Sequence, residues 1–456
     1  MQIGQTIQKI LSNWHGFPNL TADGKYEFLT QTVVANSVES QHLINFRQNP
    51  KDSYLLKKIY KVFVHEITHW LDHTSTLWGQ NNLVTIYNAF NAFESQKEDE
   101  LWRVIQLFSE VSRNHFADYY QVDGPAIVSD WTKRPWRYKY SFGLQYGSDG
   151  RPRSDRPFIS TRFSNFDNVF IKRVPISVVS LMETIATAAE LQVEFSYILP
   201  LLKTQLSADE FLVESKLFEQ ACLERVYNPS LTVYSVATHC LANFMSINNI
   251  SLAYELSSAL SSLCLNLPSQ VFGQLKISQE FQEKHLPVEI QEITTERASQ
   301  MIAMQDRGFA FFVLSEYAPK TDFSTVLDWL EKTIESAGLP PIADLQEMVI
   351  HEMRSLENNI LDGPLVPRLK NLLEIGRRNY VNRGIFGKHE PCLNSLFLMS
   401  QDLKLPPVIL GDENIFDVEL ASGSSQYSYS DIENWVFYIY DFEERLREFQ
   451  RACIAI

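Results

Sequence analysis

Two histidines four residues apart constrain this chain more than any other feature of it. His65-Glu66-Ile67-Thr68-His69 lies within a run from Ser53 to His73 whose apolar residues Leu55, Ile59, Val62, Phe63, Ile67, Trp70 and Leu71 recur at helical spacing. Pro50 precedes the run, and Asp52 or Ser53 is placed to cap its first turn. Positions i and i+4 of a helix share a face, so both imidazoles can reach one metal ion. Glu66 then stands beside that ion, where a carboxylate can take a proton from water and return it to a leaving amine. The fold must therefore carry this helix with both histidines aimed at one point, and bring a further ligand from elsewhere.

A catalytic zinc site takes three protein ligands and keeps one position open. Asp72 and His73 follow on the same helix, but a residue a turn beyond His69 points past the ion. They read as partners that orient a ligand imidazole, or as surface polar groups. Ser75 stands where a third histidine of the same segment would have to be, which excludes the metzincin pattern. His115 is a lone histidine near a helix end. Glu183 is the strongest candidate, a carboxylate in the middle of the apolar helix that follows Pro175, where an uncompensated charge is costly. The small residues Ala186 and Thr187 one turn on allow another helix to pack close. Glu190 and Glu194 share the face of Glu183 and are the rivals for its role, or outer partners.

The rest of the chain is mostly helical in pattern, including a region from about Leu83 to Tyr119 and amphipathic helices beyond about Ser207. Between them, Trp136, Tyr138, Tyr140, Phe142, Leu144 and Tyr146 alternate with polar residues and glycine, a strand signal. Gly147 to Asp155 reads as a turn, and apolar residues return at Phe158 to Phe163 and Val169 to Val174, so a hairpin or small sheet is expected. Ser422 to Ser430 reads as a polar loop. The fold class expected is mainly α (α+β), with a helical C-terminal half. No stretch supplies about 18 uncharged apolar residues, and no spanning helix is expected. The amino terminus lacks the basic start and unbroken apolar run of a secretory leader. Five cysteines lie far apart without a CxxC pair, which points to buried thiols and a cytoplasmic location. A formal net charge of −15 argues against nucleic acid as a partner. Against that background, Trp131 to Arg173 carries ten basic residues and three acidic ones, which implies an acidic substrate.

HExxH followed on a later helix by Glu183-Thr184-Ile185-Ala186 resembles the gluzincin class of zinc metallopeptidases. The stretches His65 to Gly79 and Pro175 to Ala186 are also similar to uncharacterised bacterial zincin-like proteins. In those proteins a Gln stands where this chain has Asp72. Known gluzincins also usually place the glutamate much nearer the second histidine. The resemblance covers the first 200 or so residues. It implies a zincin-like metallopeptidase domain over 1–205, with the basic hairpin (about 131–174) inserted, and leaves 206–456 as a helical domain. It also implies that a strand of the 136–174 sheet lies beside the metal cleft and pairs with an extended polypeptide substrate. On this reading His65, His69 and Glu183 hold zinc and Glu66 is the general base. The donor to the transition state is one of Tyr138, Tyr140, Tyr146 and His239. Two other functions remain open: a non-catalytic zincin-derived scaffold, for which the helical half would bind a protein partner, and a metallohydrolase of non-peptide amides. Retention of Glu66 favours catalysis, because metal binding alone does not require it.

Overall fold

Asp52 begins the helix that organises the structure: its Oδ1 accepts from the Leu55 N–H at 3.0 Å, and the helix runs Ser53–Ser75 with its second half almost wholly buried. The computed structural model describes residues 23–119, 121–124, 135–147, 150–285, 288–385, 403–416 and 429–454. The N-terminal half contains β1 (Lys25–Glu27), β2 (Thr32–Ala35), α1 (Ser40–Gln48), α2 (Ser53–Ser75), α3 (Leu77–Ser95), α4 (Trp102–Tyr119), β3 (Val122–Asp123), β4 (Arg137–Tyr146), β5 (Pro152–Ser164), β6 (Phe170–Pro175) and α5 (Val178–Val193). Then come α6 (Leu199–Gln205), α7 (Ala208–Val226), α8 (Val236–Met245), α9 (Ile250–Leu265), α10 (Gln279–His285), α11 (Val288–Ala303) and α12 (Arg307–Tyr317). The chain closes with α13 (Val326–Ser336), α14 (Ile342–Ser355), α15 (Val366–Arg383), β7 (Val408–Leu410), β8 (Ile415–Phe416) and α16 (Tyr429–Ile454). The class is mainly α (α+β), as the sequence leads one to expect.

The expected sheet is present as β3-β6-β5-β4, antiparallel throughout, with Tyr138 opposite Phe163 and Arg162 opposite Arg173. Its period-two strands bury Phe142, Ile159, Phe163 and Val174 on one side. The turn expected over Gly147 to Asp155 is shorter, since β5 already begins at Pro152. The region from Leu83 to Tyr119 is two helices rather than one. Gln96 adopts a left-handed conformation (φ 50°) that ends α3, and the acidic 3-10 turn Glu98–Glu100 intervenes.

A second sheet, β1-β2-β7-β8, has no counterpart in the sequence reading. Its strands hold two to four residues, too few to show a period, and β2 pairs in parallel with β7 across most of the chain (Val33 opposite Val408). Helix α16 also returns to this end, where Trp435, Val436, Ile439 and Phe442 pack in one core with Ile59, Phe63 and Phe90. A second core joins Val174, Val179 and Met182 to Leu260, Phe309 and Phe312. Residues on either side of the boundary expected at 205/206 thus share both cores.

The helical run Val178–Gln205 is, among the described residues, long and apolar enough to cross a membrane, and half of its most apolar stretch is buried inside the fold. In the sequence the longest apolar run, Ser177 to Ala189, is broken by Glu183, so no uncharged span is expected there. Cys222, Cys240 and Cys264 are buried free thiols, whereas Cys453 is exposed; Cys392 lies outside the described residues. Outside them also lie the amino-terminal segment, Lys133, Arg134 and Asp149 of the basic stretch, and the polar loop up to Tyr429, where α16 begins.

His239, one of the expected transition-state donors, is a core histidine. Its ring stacks on Trp136 (centroids 5.7 Å apart) and meets Phe163 and Tyr227, and Nε2 donates to the Val226 carbonyl at 2.9 Å. Burial lowers its pKa to about 4, against about 6.5 in an unfolded chain. Between those values the unfolded state binds the extra proton, so this contribution to stability is complete above about pH 6.5 and is lost as pH falls towards 4. Between pH 7 and pH 5 the loss amounts to about 2 kcal/mol. Urea unfolding of wild type and His239→Gln at the two pH values measures it: the wild type is expected to lose about 2 kcal/mol more than the variant. Equal losses would refute the assignment.

Candidate metal centre

Helix α5 starts with a reciprocal cap, in which Ser180 Oγ accepts from Ser177 N–H at 2.9 Å and Ser177 Oγ from Ser180 N–H at 3.4 Å. From there it runs antiparallel to α2. Glu183 meets His65 and His69, Glu190 meets His65, and Glu194 lies 4.0 Å from Lys57. The small side chains of Ala186 and Thr187, both buried, accompany this approach. Just past Glu190 the helix widens into a π-turn, Glu194–Ile198, a feature often found at functional sites.

His65 Nε2, His69 Nε2 and Glu183 Oε2 converge on one point. The two nitrogens are 3.1 Å apart, and the carboxylate oxygen is 3.2 Å from His65 and 3.4 Å from His69. Donors about 2.0–2.1 Å from a tetrahedral zinc ion are separated by about 3.3 Å, so this triangle has the dimensions of one face of such a site. Glu183 Oε2 is buried and makes no hydrogen bond, an orphaned acceptor of the kind a cation satisfies. Burial acts to raise the Glu183 carboxyl, but His69 and His65 outweigh it and hold it down at about 2. The donor set and its spacing fit zinc.

Glu190 occupies the other side of His65. The His65 Nδ1–H donates to Glu190 Oε1 at 2.6 Å, and Arg225 of α7 pairs with Glu190 Oε2 at 3.0 Å. This bond selects the imidazole tautomer whose Nε2 lone pair faces the metal point. Burial acts to raise Glu190, but Arg225 and His65 hold it down at about 2. Glu190 is thus an outer partner and Glu183 the converging carboxylate. Arg225 carries no signal in the sequence, because nothing local ties α7 to α5.

Glu66 is 8% exposed. Burial raises its carboxyl above the usual range; His65 and His69 pull it back, while Glu183 and Glu190 push it further up. Lys25 of β1 lies close enough to feel Glu66 and Glu443, although burial lowers its own pKa to about 8. Asp72 and His73, expected as outer partners or surface groups, are fully buried and serve the frame. Asp72 Oδ1 pairs with Arg383 of α15 at 2.8 Å, and Arg383 also donates to Ser75. His73 is held between the Tyr26 hydroxyl (2.6 Å) and Asn82 Oδ1 (2.8 Å).

The tyrosines expected as donors stand in the sheet. Tyr140 packs on Phe244 and Phe312, Tyr138 packs on Tyr140, and Tyr146 is 58% exposed at the end of β4. The tyrosine ring that flanks His65 is Tyr234, with centroids 6.0 Å apart, in the 3-10 turn Pro229–Tyr234. Part of the β4 edge is already taken: Arg297 of α11 donates to the Phe142 carbonyl. In the basic stretch Arg153 pairs with Asp155, Lys172 with Asp123, and Arg156 donates to Ser109.

Comparison with known proteins returns no match among family models, curated proteins or solved structures.

Proposed function

We propose that the chain is a zinc-dependent metallopeptidase of gluzincin type. The observation that carries this reading is the triangle of His65 Nε2, His69 Nε2 and Glu183 Oε2, with edges of 3.1, 3.2 and 3.4 Å, next to the buried carboxylate of Glu66. Zinc held there would polarise a carbonyl and bring the pKa of a water ligand to about 7. The chain's own contribution is divided among few groups. His65, His69 and Glu183 hold the ion, and Glu190 with Arg225 orients His65. The Glu66 carboxylate accepts a proton and delivers it to the departing amine nitrogen. Burial acts to raise the carboxyl of Glu66 above the usual range, the direction that favours return of the proton. A polypeptide substrate, acidic by the charge of the basic stretch, completes the reading.

The test is metal analysis of the purified protein together with proteome-wide mapping of cleaved peptide bonds. One equivalent of zinc and a set of zinc-dependent cleavages are expected. Zinc without peptide cleavage would favour a metallohydrolase of non-peptide amides, and no stoichiometric metal would end the metallopeptidase reading in favour of the scaffold.

Outer partners of a ligand histidine are worth about 10–100-fold in metal affinity. Glu190→Ala removes the acceptor of His65 Nδ1–H and leaves Arg225 without its closest carboxylate. Zinc dissociation constants measured by competition with a chromophoric chelator are expected to rise by that factor, with Glu190→Gln in between. Unchanged affinity would leave Glu190 a purely structural ion-pair partner.

A further inference from the structure

We propose that Gly24 is a positioning residue for the Glu66 carboxylate, an inference that rests on the metallopeptidase reading. Gly24 leads into β1, and its backbone lies directly on the helix face that presents Val62 and Glu66, one turn apart. A Cβ on residue 24 would stand 2.8 Å from Glu66 Cγ, 3.1 Å from Glu66 Oε1 and 2.6 Å from Val62 Cγ1. The backbone of Gly24 does not need glycine for its conformation, since it is outside the left-handed region; it needs glycine for space.

This wall is fixed. The Ser37 N–H donates to the Asp23 carbonyl at 2.9 Å, β1 pairs with β2 from Lys25–Val34 to Glu27–Thr32, and Tyr26 is anchored on His73. On this side the Glu66 side chain is therefore bounded by a backbone that leads into a sheet. A methyl group at residue 24 is accommodated by the softest atoms it meets. The Glu66 atom met most closely is Cγ, which moves only when the side chain turns about χ1 and carries the carboxylate with it, whereas a valine is stiff at χ1. Relief on the glutamate side therefore displaces the base. A misplacement of about 1 Å in a reacting geometry can cost about a hundredfold in rate.

The two clashes can be separated. Val62→Ala removes the atom that Gly24→Ala meets at 2.6 Å and leaves the contact with Glu66 in place. Zinc content, thermal midpoint, kcat and KM are measured for wild type, Val62→Ala and the double variant Gly24→Ala/Val62→Ala. The substrate is a peptide spanning a mapped cleavage site. The double variant is expected to match Val62→Ala in midpoint and zinc content, to keep KM within about threefold, and to lose about a hundredfold in kcat. A double variant with the kcat of Val62→Ala would show Gly24 to be mere packing and overturn the proposal, as would a loss of zinc that parallels the loss of rate. Wild-type hydrolysis that survives Glu66→Gln would instead overturn the metallopeptidase reading, and the role of Gly24 with it.

Discussion

Glu66→Gln is expected to lower kcat by about 10²–10⁴ while zinc content stays at the wild-type level. Gln matches Glu in size and shape, and residue 66 is almost fully enclosed, so the replacement fills the same space. What it removes is the capacity to take up and return a proton. Glu66 is not among the three atoms that converge on the metal point, so its loss leaves the ligand triangle intact. The measurement is kcat on a mapped peptide substrate beside zinc analysis of the same preparation. Loss of zinc would make Glu66 a ligand, and unchanged kcat would remove it from the mechanism.

Glu183→Ala is expected to weaken zinc binding by more than the roughly 10–100-fold that an outer partner is worth, because it deletes one of the three converging donors proposed to hold the ion. In the metal-free protein the same substitution also removes a favourable partner. Glu183 is 2% exposed, and His69 and His65, at 3.4 and 3.2 Å, outweigh the cost of burial and hold its carboxylate ionised. Metal-free Glu183→Ala is expected to melt below metal-free wild type. Added zinc is expected to raise the midpoint of the wild type, since a ligand that binds only the folded state stabilises it in proportion to ln(1 + [Zn]/Kd), and to leave the variant nearly unmoved. Calorimetry of both proteins with and without zinc measures all four midpoints. A zinc-dependent rise of equal size in the variant would take Glu183 out of the ligand set.

What the sequence determines by itself is what one element determines by itself. The apolar stripe and Asp52 define the helix Ser53–Ser75 and its start, and the i, i+4 spacing puts His65 and His69 on one face. Alternating aromatics define β4, and a carboxylate among apolar residues marks α5 as a helix with a task. These are local regularities, set by the helical and strand periods, and they survive in any fold that keeps the element.

The tertiary structure decides which faces meet. Glu183 and Glu190 lie two turns apart on one face of α5, and only the antiparallel crossing on α2 sends the first to both Nε2 atoms and the second to His65 Nδ1. Asp72 and His73 look from the sequence like groups around a metal. They are buried because α15 brings Arg383 to the first, and β1 and α3 bring Tyr26 and Asn82 to the second. His239 looks like a donor and becomes a neutral core group once Trp136, Phe163 and Tyr227 enclose it. The sheet that joins β2 to β7, and the press of Gly24 on Glu66, depend on contacts between segments that no local pattern relates. A periodic sequence specifies the surface an element presents. Its partner is chosen by the packing of the whole chain, where the burial of every other apolar face and the pairing of every buried charge must be satisfied together.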